Sequence, residues 1–161
     1  MSTGLETDAD RLAYDAGDVE PVEIKIKAED YPVCFVSSMK RAIETAKMVY
    51  TGSFIITDDL VEVKNGFSFI QKIKLPLLLR NAAGRIAWFL NSKSIPETKQ
   101  QSKARAKKFI SMLLNFTHEN TLLVTHGFFI HCLKHELRKN GFKGRVPLYP
   151  KNARLYIFEK K

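Results

Sequence analysis

Apolar residues fall along this chain in short blocks whose spacing alternates between two kinds. Pro32-Val33-Cys34-Phe35-Val36 and Leu122-Leu123-Val124 are continuous apolar runs with polar residues on either side, the pattern of buried strands. A helical period follows each of them. Ala42, Ile43, Ala46 and Val49 share one face over residues 38–50, with Ser37 placed to cap that helix. A helix-like run starts at Phe128, passes Leu137 and ends near Asn140. Between these units, residues 54–57 read as a second short strand, followed by the acidic turn Asp58-Asp59 and then Leu60-Val61-Glu62. Residues 97–116 carry Ala104, Phe109, Ile110, Leu113 and Leu114 at helical spacing, which predicts one long amphipathic helix with a basic outer face. Residues 153–159 alternate as a last strand. Strands alternating with helices predict an α/β layer fold with a mostly parallel sheet in one domain spanning residues 1–161.

Composition narrows the picture. An apolar fraction of 45% with 27% charged residues suits a globular chain with a real core. Lys and Arg number 26 against 17 Asp and Glu, a formal net charge of +9, which favours anionic partners without choosing among phosphoesters, nucleic acid and lipid. Cys34 and Cys132 have no framework spacing and read as reduced, buried thiols of a cytoplasmic protein. With only short aliphatic runs and a polar, acidic start, neither a signal peptide nor a membrane-spanning helix is expected. There is no internal repeat.

Candidate chemistry lies at the ends of the two strands. In Leu122-Leu123-Val124-Thr125-His126-Gly127, the strand delivers an imidazole just before a helix whose first N–H groups could receive an anion. Upstream, Ser37-Ser38-Met39-Lys40-Arg41-Ala42 places Arg41 in the first turns of a helix behind a strand. There a planar guanidinium can grip two phosphoryl oxygens at once. His126 can stabilise charge on a transferring phosphoryl group, and Glu62 is a candidate proton donor to a leaving alkoxide. Ser37 reads as a cap rather than a nucleophile, since no base and orienting acid accompany it in a recognisable pattern. His131 and His135 stand four apart, yet a zinc site needs a third protein ligand, so no metal is called for; His118 falls in a loop.

In order and separation, Ser37-Ser38-Met39-Lys40-Arg41-Ala42-Ile43-Glu44-Thr45-Ala46, Leu60-Val61-Glu62 and Val124-Thr125-His126-Gly127 resemble the motifs of the histidine phosphatase superfamily, the phosphoglycerate mutase-like proteins. Asn152, ahead of the last strand, also fits that resemblance. It implies a three-layer α/β/α fold and metal-independent hydrolysis of a phosphomonoester, without cofactor, through a phosphohistidine. Arg41 and His126 would bind the phosphate and His126 and Glu62 would be catalytic. The family's attacking histidine sits in an Arg-His-Gly motif at the end of its first central strand, and this sequence holds none: its four histidines begin at residue 118. Thr3-Gly4 could be a decayed remnant. The preferred expectation is that residues 8–22 match the segment after that motif, so that the chain starts about twenty residues late and its sheet lacks a central strand. Each buried N–H or C=O so exposed costs about 1–3 kcal/mol. The last strand must then move inward, pair elsewhere or leave a gap.

Residues 67–95 are too apolar for a solvated loop and carry Lys72, Lys74, Arg80 and Arg85. By the same resemblance they form a cap insertion whose Arg80 and Arg85 meet remote anionic parts of a substrate; a structural helical hairpin and an amphipathic surface patch are the alternatives. The expected partner is a phosphorylated small molecule, with neither nucleic acid nor membrane. A basic face at Lys99, Lys103, Arg105, Lys107 and Lys108 has no stacking aromatics to make it a nucleic-acid surface. The alternative to an enzyme is a non-catalytic phospholigand-binding or interaction protein of the same fold. Neither substrate nor oligomeric state is legible.

Overall fold

The computed structural model describes residues 24–64, 77–116 and 119–160, with the backbone alone for residues 77–82. Strand β1 (Val33–Ser37) leads to helix α1 (Lys40–Val49), then β2 (Ile55–Thr57) and a 3-10 turn (Asp58–Leu60). Helices α2 (Leu77–Phe89) and α3 (Lys99–Phe116) precede β3 (Thr121–Val124) and α4 (Phe129–Lys139). The hairpin-like pair β4 (Phe142–Gly144) and β5 (Phe158–Lys160) completes the order.

Three strands form a parallel sheet in the order β2-β1-β3. β1 sits at its centre because its side chains are apolar on both faces, as a strand covered on both sides requires. Cys34 and Val36, with Leu122 of β3, pack under α1 against Ala42, Ala46 and Val49. Phe35 points the other way, into a core built by α3 and α4 around Phe109, Ile110, Phe129 and Leu133. This two-residue alternation puts helices on both faces, giving the α/β layering expected from the sequence.

Several local readings change. α1 starts at Lys40, with Met39 as its N-cap and no side-chain cap bond; Ser37 is the last residue of the strand, fully buried, and its Oγ accepts from Met39 N–H at 3.3 Å. The inward stripe of α3 runs through Ser102, Ala106, Phe109, Ile110 and Leu113, leaving Ala104 exposed. Arg105 does not belong to an outer basic face. Its guanidinium makes a two-pronged ion pair with Glu97 at 2.9–3.1 Å, donates to the Asp59 and Val61 carbonyls, and stacks on Phe129. α4 ends at Lys139, with Asn140 as its C-cap, and the following Gly141, at φ +87°, takes the left-handed turn that stops a helix.

The last strand is shorter than its alternation suggests. Residues 158–160 pair antiparallel with β4, a partner the sequence did not announce, and the preceding residues run past β3 without pairing to it. Of the three outcomes named above, the described residues show the second: the last strand pairs elsewhere, with β4. Residues 65–76, which hold Lys72, Lys74 and the first part of the expected cap, lie outside the described residues, as do residues 1–23, His118 and the side chain of Arg80. Among the described residues no helix is long and apolar enough to cross a membrane.

Candidate functional site

The register of β1 and β3 decides what can meet. Val36 stands opposite Val124, so both strands end together and Ser37-Ser38 faces Thr125-His126 across the carboxyl edge of the sheet. From β1 the chain steps to β2 on one side and later returns to β3 on the other. This is a topological switch point, where open parallel sheets leave a crevice for ligands. The two sequence motifs, eighty-odd residues apart, therefore converge on one corner.

At that corner His126 is buried and its Nε2 lies 2.9 Å from Ser37 Oγ. Ser37 thus serves as a buried clamp on the imidazole, a role its reading as a helix cap missed; only the strand register reveals it. Thr125 Oγ1 donates to the Leu60 carbonyl at 2.8 Å and fixes the loop on the other side. Ser38 Oγ donates to Asp58 Oδ1, tying the β1 loop to the acidic turn. Arg41, one residue into α1, lines the same cleft as His126 and Gly127. A Cβ built on Gly127 meets nothing within 4 Å beyond its chain neighbours, so the backbone there borders open space.

Glu62 has a definite position. Its carboxylate accepts from the first N–H groups of the α4 segment, Phe128 at 3.0 Å and Phe129 at 2.9 Å, and from its own neighbour Val63 at 2.8 Å. An anion does sit at this helix start, as the dipole favours, but it is supplied by the protein. The Phe128 and Phe129 N–H groups, expected from the sequence to face an anion, are thus already taken by Glu62.

Arg85 stacks on the Phe128 ring, its Cζ 3.5 Å from the centroid, and Trp88 meets the same ring edge-on at 4.7 Å while donating to Ser102 Oγ at 3.0 Å. Helix α2 is thereby packed on the residue following Gly127. His131 hydrogen-bonds the Leu148 carbonyl at 3.1 Å, and burial holds it and His135 below the usual imidazole value. Among the described residues no cluster of three His, Cys, Asp or Glu could hold a metal. Burial pushes the Cys34 thiol up to about 12 and that of Cys132 to about 11, which makes both poor nucleophiles.

The cleft has a volume of about 1150 Å³ and runs from the Arg41–His126 corner along β3 to residues 150–160. A smaller one, about 460 Å³, lies at Arg138 and residues 141–145, away from both motifs.

A family model described as "Histidine phosphatase superfamily (branch 1)" matches residues 19–161. No curated protein matches the chain. No solved structure matches it either.

Proposed function

The chain belongs to the histidine phosphatase superfamily, and on that premise we propose that the Arg41–His126 corner binds the phosphate of a phosphomonoester. The observation that carries this reading is that Arg41 and His126, from separate motifs, line one cleft at the carboxyl ends of β1 and β3. The guanidinium supplies a fork to two phosphoryl oxygens. The imidazole, held by Ser37, stabilises charge on phosphorus-bound oxygen from a fixed position. No metal or cofactor enters the scheme. The ancestral reaction is hydrolysis through a phosphohistidine. As these 161 residues include no Arg-His-Gly, the chain alone binds phosphate without forming that intermediate. In a complete site Glu62 would deliver the proton to the leaving alkoxide and Arg80 and Arg85, in a cap of residues 67–95, would meet distal substrate anions.

A second reading, a phospholigand-binding protein without turnover, draws on one observation: both Glu62 oxygens already accept backbone N–H groups. Proton delivery would require one of these bonds to be exchanged.

Phenyl phosphate titrated into the chain by calorimetry should bind saturably with no phenol released. Arg41→Ala should weaken binding about tenfold to a hundredfold, the worth of a charge-assisted bidentate contact. Affinity unchanged from the parent in both Arg41→Ala and His126→Ala would refute the assignment.

A further inference from the structure

Side chains of α4 hold the loop that follows β4. His131, Lys134 and Arg138, spaced along one side of the helix, hydrogen-bond the carbonyls of Leu148, Val146 and Gly144 at 3.1, 3.2 and 3.0 Å. Every second carbonyl is thus tied to the helix, and the Val146 side chain between them is buried. Pro147 and Pro150 fix two further backbone angles, and the Lys151 N–H donates to the Tyr156 hydroxyl at 3.1 Å. The loop is pinned along its length.

Its tip nevertheless faces solvent. Leu148 and Tyr149 are 76% and 85% exposed, the two most exposed large apolar side chains among the described residues. Single exposed apolar residues are ordinary, whereas an adjacent pair held out on a pinned loop has the form of a surface contact. The charge around the pair has one sign. Residues 137–158 hold six Lys and Arg and no Asp or Glu. Arg138, Lys143 and Arg145, before the tip, line the hollow of about 460 Å³, and no carboxylate lines it with them. Lys151 and Arg154 follow the tip, and all five of these cations are exposed.

We propose that this loop docks the protein on an anionic lipid surface. Leu148 enters the boundary between headgroups and acyl chains, Tyr149 lies at headgroup level with its hydroxyl toward water, and the five cations meet lipid phosphates and carboxylates. The side chains select lipid over other polyanions. A nucleic-acid surface interleaves its cations with several aromatics on which bases stack, but Tyr149 is the only exposed aromatic among residues 137–158 and its neighbour is aliphatic. An acidic protein would match the cations and would need in addition an apolar pocket cut for both tip residues; a bilayer interface receives them without one. Because the loop is already ordered, docking loses little conformational entropy.

The test is co-sedimentation of the full chain with vesicles of phosphatidylcholine alone and of phosphatidylcholine with about 30% phosphatidylserine. Binding to the anionic vesicles should be roughly a hundredfold tighter or more, and should weaken as salt is raised to about 0.5 M. Leu148→Ser combined with Tyr149→Ser should weaken it at least about tenfold with no change in the unfolding midpoint, since both side chains are exposed. Arg145→Gln combined with Lys151→Gln should weaken it about thirtyfold. Lys107→Gln combined with Lys108→Gln removes the same charge from exposed positions on α3 and should change it by no more than about twofold. In Tyr149→Trp, indole emission should shift to the blue on anionic vesicles and be quenched by brominated lipid.

No preference for anionic vesicles, or binding unchanged by the Leu148 and Tyr149 substitutions, would overturn the proposal. So would equal losses from the Lys107–Lys108 and Arg145–Lys151 pairs, the mark of net charge alone. Two other results would overturn it by naming a different occupant: tighter binding to a single-stranded oligonucleotide, lost with Arg145 and Lys151, or a dimer by sedimentation that Leu148→Ser and Tyr149→Ser abolish.

Discussion

The two edges of β3 carry opposite messages. Toward β1 the strand is paired residue for residue, its neighbours Phe35 and Val36 are buried, and Phe109 closes against Phe35 edge-on at 5.6 Å. Toward residues 150–160 the same strand faces a cleft, and the apolar side chains across it remain exposed. The difference is one of connectivity, because each described element that packs well has its partner within the described chain. The corner at Arg41 and His126 stands where the two regimes meet. On one side Ser37 holds His126 and Glu62 holds the start of α4; on the other lies the cleft.

Substitutions should separate the two regimes. The largest effect is expected at the closed side: Phe109→Ala should cost about 3–5 kcal/mol in urea unfolding, the price of a cavity under a fully buried ring. Arg105→Ala should cost about 3 kcal/mol, because it leaves the Glu97 carboxylate unpaired and the carbonyls of Asp59 and Val61 without a donor. Glu62→Ala should cost about 2 kcal/mol by orphaning the first N–H groups of α4, whereas a solvated loop glutamate would change stability by no more than about 0.5 kcal/mol. At the open side, Leu155→Ser and Ile157→Ser should stay within about 0.5 kcal/mol. A loss above about 2 kcal/mol there would show these side chains to be covered.

Alkali sharpens the same contrast. The buried thiols are protonated more tightly in the folded chain than the ordinary value of 9.0. Their contribution is fully present below pH 9 and is lost as pH rises toward about 12 for Cys34 and about 11 for Cys132, because the unfolded chain then holds fewer protons. Unfolding free energy measured against pH should fall less steeply above pH 9 in Cys34→Ala than in the parent.

Much of this fold was legible because it is written locally. Both apolar strand runs, the faces of α1 and the length of α3 follow from spacing within one element. What escaped the sequence depends on partners far along the chain. Ser37 is a clamp rather than a cap because β3 delivers His126 opposite it; Glu62 anchors α4 because the 3-10 turn carries it there; Arg105 turns inward because Glu97 and two loop carbonyls await it. β4 is three residues long and reads as a strand only beside β5. The alternation of residues 153–159 overstated the last strand because pairing, not pattern, sets where a strand ends. Arg41 and His126 are singled out by motif alone, and what the structure adds is that both line one cleft.

The most direct test of the proposed phosphate site is a crystal of the chain soaked in tungstate, a tetrahedral oxyanion whose anomalous signal locates it without bias. The account predicts a peak within hydrogen-bonding distance of the Arg41 guanidinium and beside the His126 ring, with the Glu62–Phe128 and Glu62–Phe129 bonds intact. A peak at the first N–H groups of α4 with Glu62 displaced, or on the lysines of α3, and none at the corner would contradict it.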